Sequence, residues 1–159
     1  MADVFVSHLE WTGAAKGPTR DPVTFSRDLD VSVDAIMVPM SSAPGYRGDP
    51  SRANPEQLFV ASISACQALT YLFLAAKNGI AVLGYTDVAE GRLGIVDGRV
   101  RMSRVILRPR ITLEEGADEA RAQQLVAKAH DGCFIGNSVV TPVDIEPTFE
   151  FADTPAAAR

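Results

Sequence analysis

The 159-residue chain is poor in the residues that most often mark chemistry, with two cysteines, two histidines and one tryptophan. Two cysteines are too few for the disulfide framework of a small secreted domain, so packing, metal or redox roles remain for them. No glycine-rich phosphate loop, GxSxG elbow or HExxH stretch occurs, which removes the commonest nucleotide, serine-hydrolase and zinc-protease signatures. His8 and His130 are the only histidines, so a Ser-His-Asp triad has few candidates, and His8 falls in a strand pattern. Positive charge is also in deficit: 15 Lys and Arg against 20 Asp and Glu leave a net charge of -5. Phosphate backbones and anionic lipid surfaces demand clustered cations, so neither nucleic acid nor a membrane is expected as a partner. Met1-Ala2-Asp3-Val4 has no basic segment leading into an apolar run; no secretory signal is expected, and the location expected is cytoplasmic.

What is present is ordinary globular material, 47% apolar and 22% charged. A chain of this length buries about two-thirds of its unfolded surface and needs no staples. No internal repeat, linker or low-complexity block divides it, so one domain is expected over residues 1–159, with a frayed tail from about 152.

The first forty residues read as strand. His8 to Thr12 is extended, Gly13 to Pro22 is a turn-rich connector, and Val23 to Val33 alternates with the period of a half-buried strand. Ala35 to Val38 continues extended, and Ser41 to Ala53 is a loop holding Arg47 and Arg52. Asn54-Pro55-Glu56 is a helix start, with a capping side chain, a proline at the first position and an acid at the positive end of the dipole. Leu58 to Ala76 then runs 19 residues without a charge, long enough to raise a membrane span. Ser62, Ser64, Gln67 and Thr70 interrupt it and no second such run exists, so the expectation is a helix buried on all sides, within a fold or between subunits.

From Ala81 to Leu113 the pattern is strand again, with Asp97-Gly98 as a tight hairpin turn. A phase shift predicts a bulge near Ser103-Arg104. Ala117 to Asp131 is an amphipathic helix stopped by Gly132, Cys133 to Val140 a short helical or irregular piece, and Val143 to Phe151 a last strand. The sum is α+β, an antiparallel sheet wrapped around a long buried central helix.

Cys66, His130 and Cys133 are conceivable zinc ligands, but no fourth is evident and Cys66 lies mid-helix. On local grounds Cys66 is a small apolar residue in an apolar helix, flanked by an unusual set of polar groups in Ser62, Ser64 and Gln67. Cys133 opens an element after a helix stop, where free N–H groups favour a thiolate.

Two segments read together resemble the signature stretches of the OsmC/Ohr family, the osmotically inducible and organic hydroperoxide resistance proteins. They are Asn54-Pro55-Glu56-Gln57-Leu58-Phe59 through Ser64-Ala65-Cys66, and Ala129-His130 through Cys133 to Asn137-Ser138-Val139. The resemblance spans about Trp11 to Phe151 and implies an OsmC-like fold in an intertwined homodimer with sites at the subunit interface. It implies a cysteine-based peroxidase for organic hydroperoxides, with hydrogen peroxide as a further substrate. Cys66 then matches the peroxidatic cysteine and Cys133 the resolving one, with no metal and no organic cofactor. An external dithiol, of lipoyl type in one branch, would reopen the disulfide. Family members activate the thiolate with an arginine held by the glutamate matching Glu56; Arg47 matches that arginine in one branch and Arg20 lies nearer its place in the other, with Arg27 and Arg52 as outsiders.

Ten helical residues from Glu56 to Cys66 make about 15 Å of rise, too far for one arginine head group to touch both on one helix. Glu56 and its arginine are therefore expected to serve the Cys66 of a second subunit. The chain departs from the family pattern at Gln67, where an aromatic is common, and at Phe134, where proline is usual. Phe59, Tyr71, Phe73, Phe134 and Met40 are candidates to line an apolar pocket. An alternative from another class is a stress-response or ligand-binding protein on the same fold with little or no turnover.

Overall fold

A computed structural model describes residues 3–153 of the chain. They form two compact units that meet in sequence at Leu58 and Phe59.

The first unit is an antiparallel meander of β1 (His8–Glu10), β2 (Leu29–Val33) and β3 (Ile36–Met40), in that order. The chain turns between β2 and β3 at Asp34, whose φ of 51° is the left-handed conformation a tight turn requires. Strand is shorter here than the alternation predicts. Thr12–Lys16 winds into a 3-10 turn, and Trp11 Nε1 donates to the Ser26 carbonyl at 2.8 Å. A side chain at Gly13 would collide with that bond, since its Cβ would lie 2.4 Å from Trp11 Nε1. Residues 23–28 are not strand because Asp21 captures the backbone first: its Oδ1 accepts from Val23 N at 2.8 Å. Arg27 then folds back to donate to the Pro22 and Phe25 carbonyls. Asp28 is buried beside Lys16, whose Nζ lies 2.7 Å from Oδ2, and these contacts hold the Asp28 carboxyl below its usual range. The loop from Ser41 to Ala53 is closed at its ends, Ser41 N donating to Ala53 O at 2.8 Å.

The central helix α1 (Pro55–Lys77) starts as its sequence dictates. Asn54 Oδ1 accepts from Gln57 N at 2.9 Å and Gln57 Oε1 returns the bond to Asn54 N at 3.0 Å, a reciprocal capping box. By length and composition α1 could cross a membrane, with a mean hydropathy of 1.8. Its buried residues are Val60, Ile63, Gln67, Tyr71 and Ala75, spaced three or four apart, which is one helical stripe. Within the chain α1 is thus buried on one face, while Leu69 and Phe73 on another remain exposed.

The second unit completes itself with two three-stranded sheets and two helices. One sheet orders β4 (Val82–Asp87), β7 (Pro109–Glu114) and β9 (Thr148–Ala152); the other orders β5 (Glu90–Val96), β6 (Arg99–Leu107) and β8 (Val143–Ile145). The β4·β7 and β5·β6 pairs are antiparallel, as expected, but β8 and β9 join their neighbours in parallel. The single last strand expected over Val143–Phe151 is therefore two strands in two sheets. Pro147 separates them, having no N–H to continue a ladder. Ala152 belongs to β9, so the expected fraying does not begin there, and residues 154–159 lie outside the described residues. The β5–β6 turn is as predicted, Asp97 at φ 52° and Gly98 at 74°, and Ser103 is the bulged residue between the Arg92–Arg104 and Leu93–Met102 pairs.

Helix α2 (Glu119–Gly132) begins on the Asp118 cap and buries Ala122, Leu125, Val126 and Ala129. These meet Tyr71 and Ala75 of α1 and Ile111 and Leu113 of β7 in one apolar cluster. A second cluster joins Val60 and Ile63 to Val105 and Leu107. The short helix α3 (Phe134–Asn137) follows directly on Cys133.

Candidate active site

Helical geometry sorts the residues around Cys66. Ser62, Cys66, Leu69, Thr70 and Phe73 recur at three- and four-residue steps, so they share a face turned away from the buried stripe. With Ala65 and Leu74 they line an open groove of about 700 Å³, completed by Lys128, Gly132 and Phe134. Phe73 and Phe134 are where the sequence suggested. Tyr71 is not: five residues beyond Cys66 it turns onto the buried stripe and is 1% exposed. Phe59 packs on the second apolar cluster, and Met40 is core in the first unit. Leu69 and Lys128 were missed, although the i+3 spacing from Cys66 was enough to find Leu69.

The polar flank of Cys66 also resolves. Ser62 Oγ donates to the Phe59 carbonyl at 2.8 Å, and Ser64 Oγ bonds to Asp87, which also accepts from Arg108 N at 2.7 Å. Gln67 Nε2 donates to the Val126 carbonyl at 3.2 Å. These groups tie α1 to itself and its neighbours and do not surround the thiol.

The two cysteines are brought together although 67 positions separate them. The turn from α2 into α3 delivers Cys133, 1% exposed, close enough to Cys66 for each thiol to shift the ionisation of the other. Cys133 Sγ accepts from Gly136 N at 3.2 Å, and Ile135 N reaches Cys66 Sγ at 3.5 Å. No disulfide joins them in this structure. Burial pushes the Cys66 thiol up, but the Cys133 thiol, the Ile135 and Phe134 amides and the Thr70 hydroxyl outweigh it, leaving Cys66 below the ordinary thiol value. For Cys133, burial first and the neighbouring Cys66 second raise the pKa against the pull of the Gly136 and Ile135 amides. The expected N–H donation to Cys133 is present, from Gly136, but burial and the neighbouring Cys66 outweigh it, so the balance that lowers a thiol falls on Cys66.

Glu56, Arg47 and Arg20 belong to the first unit. Among the described residues Glu56 Oε2 is buried without a hydrogen-bond partner, and neither arginine pairs with it. Arg47 closes a 3-10 turn (Pro44–Tyr46) at φ 64° with an exposed side chain, and Arg20 is exposed too. Arg52 is held near Asp28, Asp30 and Asp49, and Arg27 donates to two carbonyls and stacks on Phe25 at 4.2 Å. Among the described residues no group of three or more His, Cys, Asp or Glu side chains is placed to hold a metal.

A profile of the OsmC family, described as OsmC-like protein, matches residues 48–148, a stretch that takes in Glu56 and both cysteines. The chain belongs to this family. The organic hydroperoxide resistance protein of Xanthomonas axonopodis pv. citri (strain 306) is 27% identical over 146 residues, covering 91% of this chain and 94% of the relative. Among solved structures, an OsmC-like protein of unknown function from Vibrio cholerae is 28% identical with a TM-score of 0.84, over 92% of this chain and 100% of the other. An organic hydroperoxide resistance protein from Legionella pneumophila shares the fold at 20% identity, with a TM-score of 0.69 over 94% and 98% of the two chains. The α+β architecture is therefore the OsmC fold, and the relatives' names associate it with resistance to organic hydroperoxides.

Proposed function

We propose that the chain is a thiol-dependent peroxidase for organic hydroperoxides, and for hydrogen peroxide to a lesser degree, acting through Cys66 and Cys133. The observation that carries this reading is the sulfur pair itself, a thiolate-prone Cys66 at an apolar groove against a buried Cys133 that retains its proton.

In the first step the Cys66 thiolate attacks the distal peroxide oxygen. The O–O bond breaks, the alkoxide leaves with a proton as an alcohol, and Cys66 becomes a sulfenic acid. The Cys133 sulfur then attacks the Cys66 sulfur, water leaves, and a disulfide forms. An external dithiol, of lipoyl type, reduces it again by exchange; the scheme uses neither metal nor organic cofactor. The apolar lining at Leu69, Phe73 and Phe134 suits an organic peroxide better than a small polar one.

The same proposal includes a cytoplasmic homodimer. Glu56, whose buried Oε2 has no hydrogen-bond partner among the described residues, would orient Arg47, or else Arg20, toward the Cys66 of the second subunit. A monodisperse, active monomer by light scattering refutes that arrangement.

The open groove also favours a second reading, a binding protein of the same fold without turnover. Cys66→Ser separates the two. In the peroxidase it abolishes hydroperoxide consumption, measured by loss of peroxide in the presence of a dithiol. Consumption undiminished in that variant overturns the assignment of Cys66, and no consumption by the native chain leaves the binding reading.

A further inference from the structure

Gln67 is 2% exposed, and it follows Cys66 in the chain. One residue along a helix is a rotation of about 100°, so Cys66 faces the groove while Gln67 faces α2. Its Nε2 donates to the Val126 carbonyl, and its Oε1 is buried with no hydrogen-bond partner among the described residues. An acceptor removed from water and left unpaired is destabilising, and a methionine or leucine of similar volume would fill the space without that penalty. For stability alone a carboxamide is a poor occupant.

Its bond has a directional use that the surrounding contacts lack. Tyr71 and Ala75 meet Ala122, Leu125, Val126 and Ala129 through apolar surface, which is non-directional and tolerates sliding. Gln67 pins α2 to α1 at Val126. Seven residues later, about two turns along, the chain reaches Cys133. Gly132 already lies close to α1, its Cβ position 3.4 Å from Thr70 Cγ2. A slip of one residue along α2 displaces its end by about 1.5 Å, a large part of the Cα–Cα range of about 4.4–6.8 Å over which a disulfide closes.

We infer that Gln67 is a positioning residue for disulfide closure: its bond to the Val126 carbonyl sets the register that presents Cys133 to Cys66. The inference rests on reading the two cysteines as a redox pair. It assigns Gln67 to the closing step and not to the attack on peroxide, because its side chain points away from the groove.

The test uses the full chain and its Gln67→Met and Gln67→Asn variants. The first keeps the volume without the donor; the second keeps a carboxamide one methylene too short to reach. Each is equilibrated in glutathione buffers, where protein dithiol and oxidised glutathione exchange to protein disulfide and two reduced glutathiones. In parallel, the sulfenic acid formed with tert-butyl hydroperoxide is trapped with dimedone. The expected result is an equilibrium constant for closure at least 10-fold lower in the variants and a longer-lived sulfenic acid. The rate of Cys66 alkylation should stay within 2-fold of the parent, and Gln67→Met should melt no lower than the parent. Tyr71→Phe removes the other orphaned buried polar atom on the same stripe, one turn on, and should leave closure unchanged. Parent-like closure in the folded Gln67 variants overturns the inference, as does an equal loss in Tyr71→Phe. A parent that closes with glutathione but never with a hydroperoxide refutes the peroxidase reading alone, and the Gln67 comparison still decides this one. A parent that closes with neither overturns both.

Discussion

Cys66 and Cys133 carry the same thiol and are driven in opposite directions by what surrounds them. Both are desolvated, which opposes ionisation, but the Ile135 amide donates to Cys66 and the neighbouring Phe134 amide and Cys133 thiol also favour its thiolate, whereas Cys66 and burial push Cys133 up. The first proton lost by the pair therefore leaves the charge on Cys66. Since thiolate and not thiol is alkylated, the rate of iodoacetamide modification of Cys66 should rise with pH about a midpoint below that of a free thiol. In the Cys66→Ser chain the Cys133 midpoint should lie above it. Phe134→Pro removes one N–H donor at the first position of α3, a place where proline is tolerated. In a Cys133→Ser background, where only Cys66 reacts, that change should move the Cys66 midpoint to higher pH; an unmoved midpoint means the amide is not what favours the thiolate. The cysteines themselves were legible in the sequence through the two segments in which they sit. Which of them would ionise was not, because that depends on amides 67 or more positions away from Cys66, brought to it by the turn from α2 into α3.

At the scale of elements, the sequence was most informative where local chemistry decides the backbone. The Asn54 capping box, the Asp97-Gly98 turn, the Ser103 bulge and the apolar period of α2 all follow from neighbours a few residues apart. It was least informative where a side chain captured the backbone, as Asp21 does between residues 21 and 25, or where pairing is long-range, as in the parallel joining of β8 to β6 and β9 to β7. Alternating residues from Val143 to Phe151 say extended, but not which neighbour each half will take. Local capping has a measurable consequence for α2. Asp118 Oδ1 accepts from Arg121 N at 2.9 Å, and Asp118→Ala should lower stability by about 1 kcal/mol in chemical denaturation. A loss below a few tenths would mean that tertiary packing alone fixes the start of this helix.

For the whole molecule, the long uncharged run of α1 pointed to burial on all sides, and within one chain only a stripe is buried. Leu69 is 69% exposed, Phe73 64% and Phe134 83%, all lining the groove at Cys66. The proposed dimer gives that apolar surface a cover and gives Glu56 Oε2, unpartnered among the described residues, and an exposed Arg47 or Arg20 a site to serve. If so, the native chain should run as a dimer in light scattering, and Phe73→Asp should shift it toward monomer with loss of activity. A native monomer with full activity contradicts the arrangement. The central claim, however, is chemical: two distant cysteines form one peroxide-driven redox pair. Its most direct test is intact mass and free-thiol count on the reduced protein, before and after one equivalent of tert-butyl hydroperoxide. Both thiols should disappear together with a mass decrease of two hydrogens. Two thiols surviving a modest excess of the peroxide would contradict it.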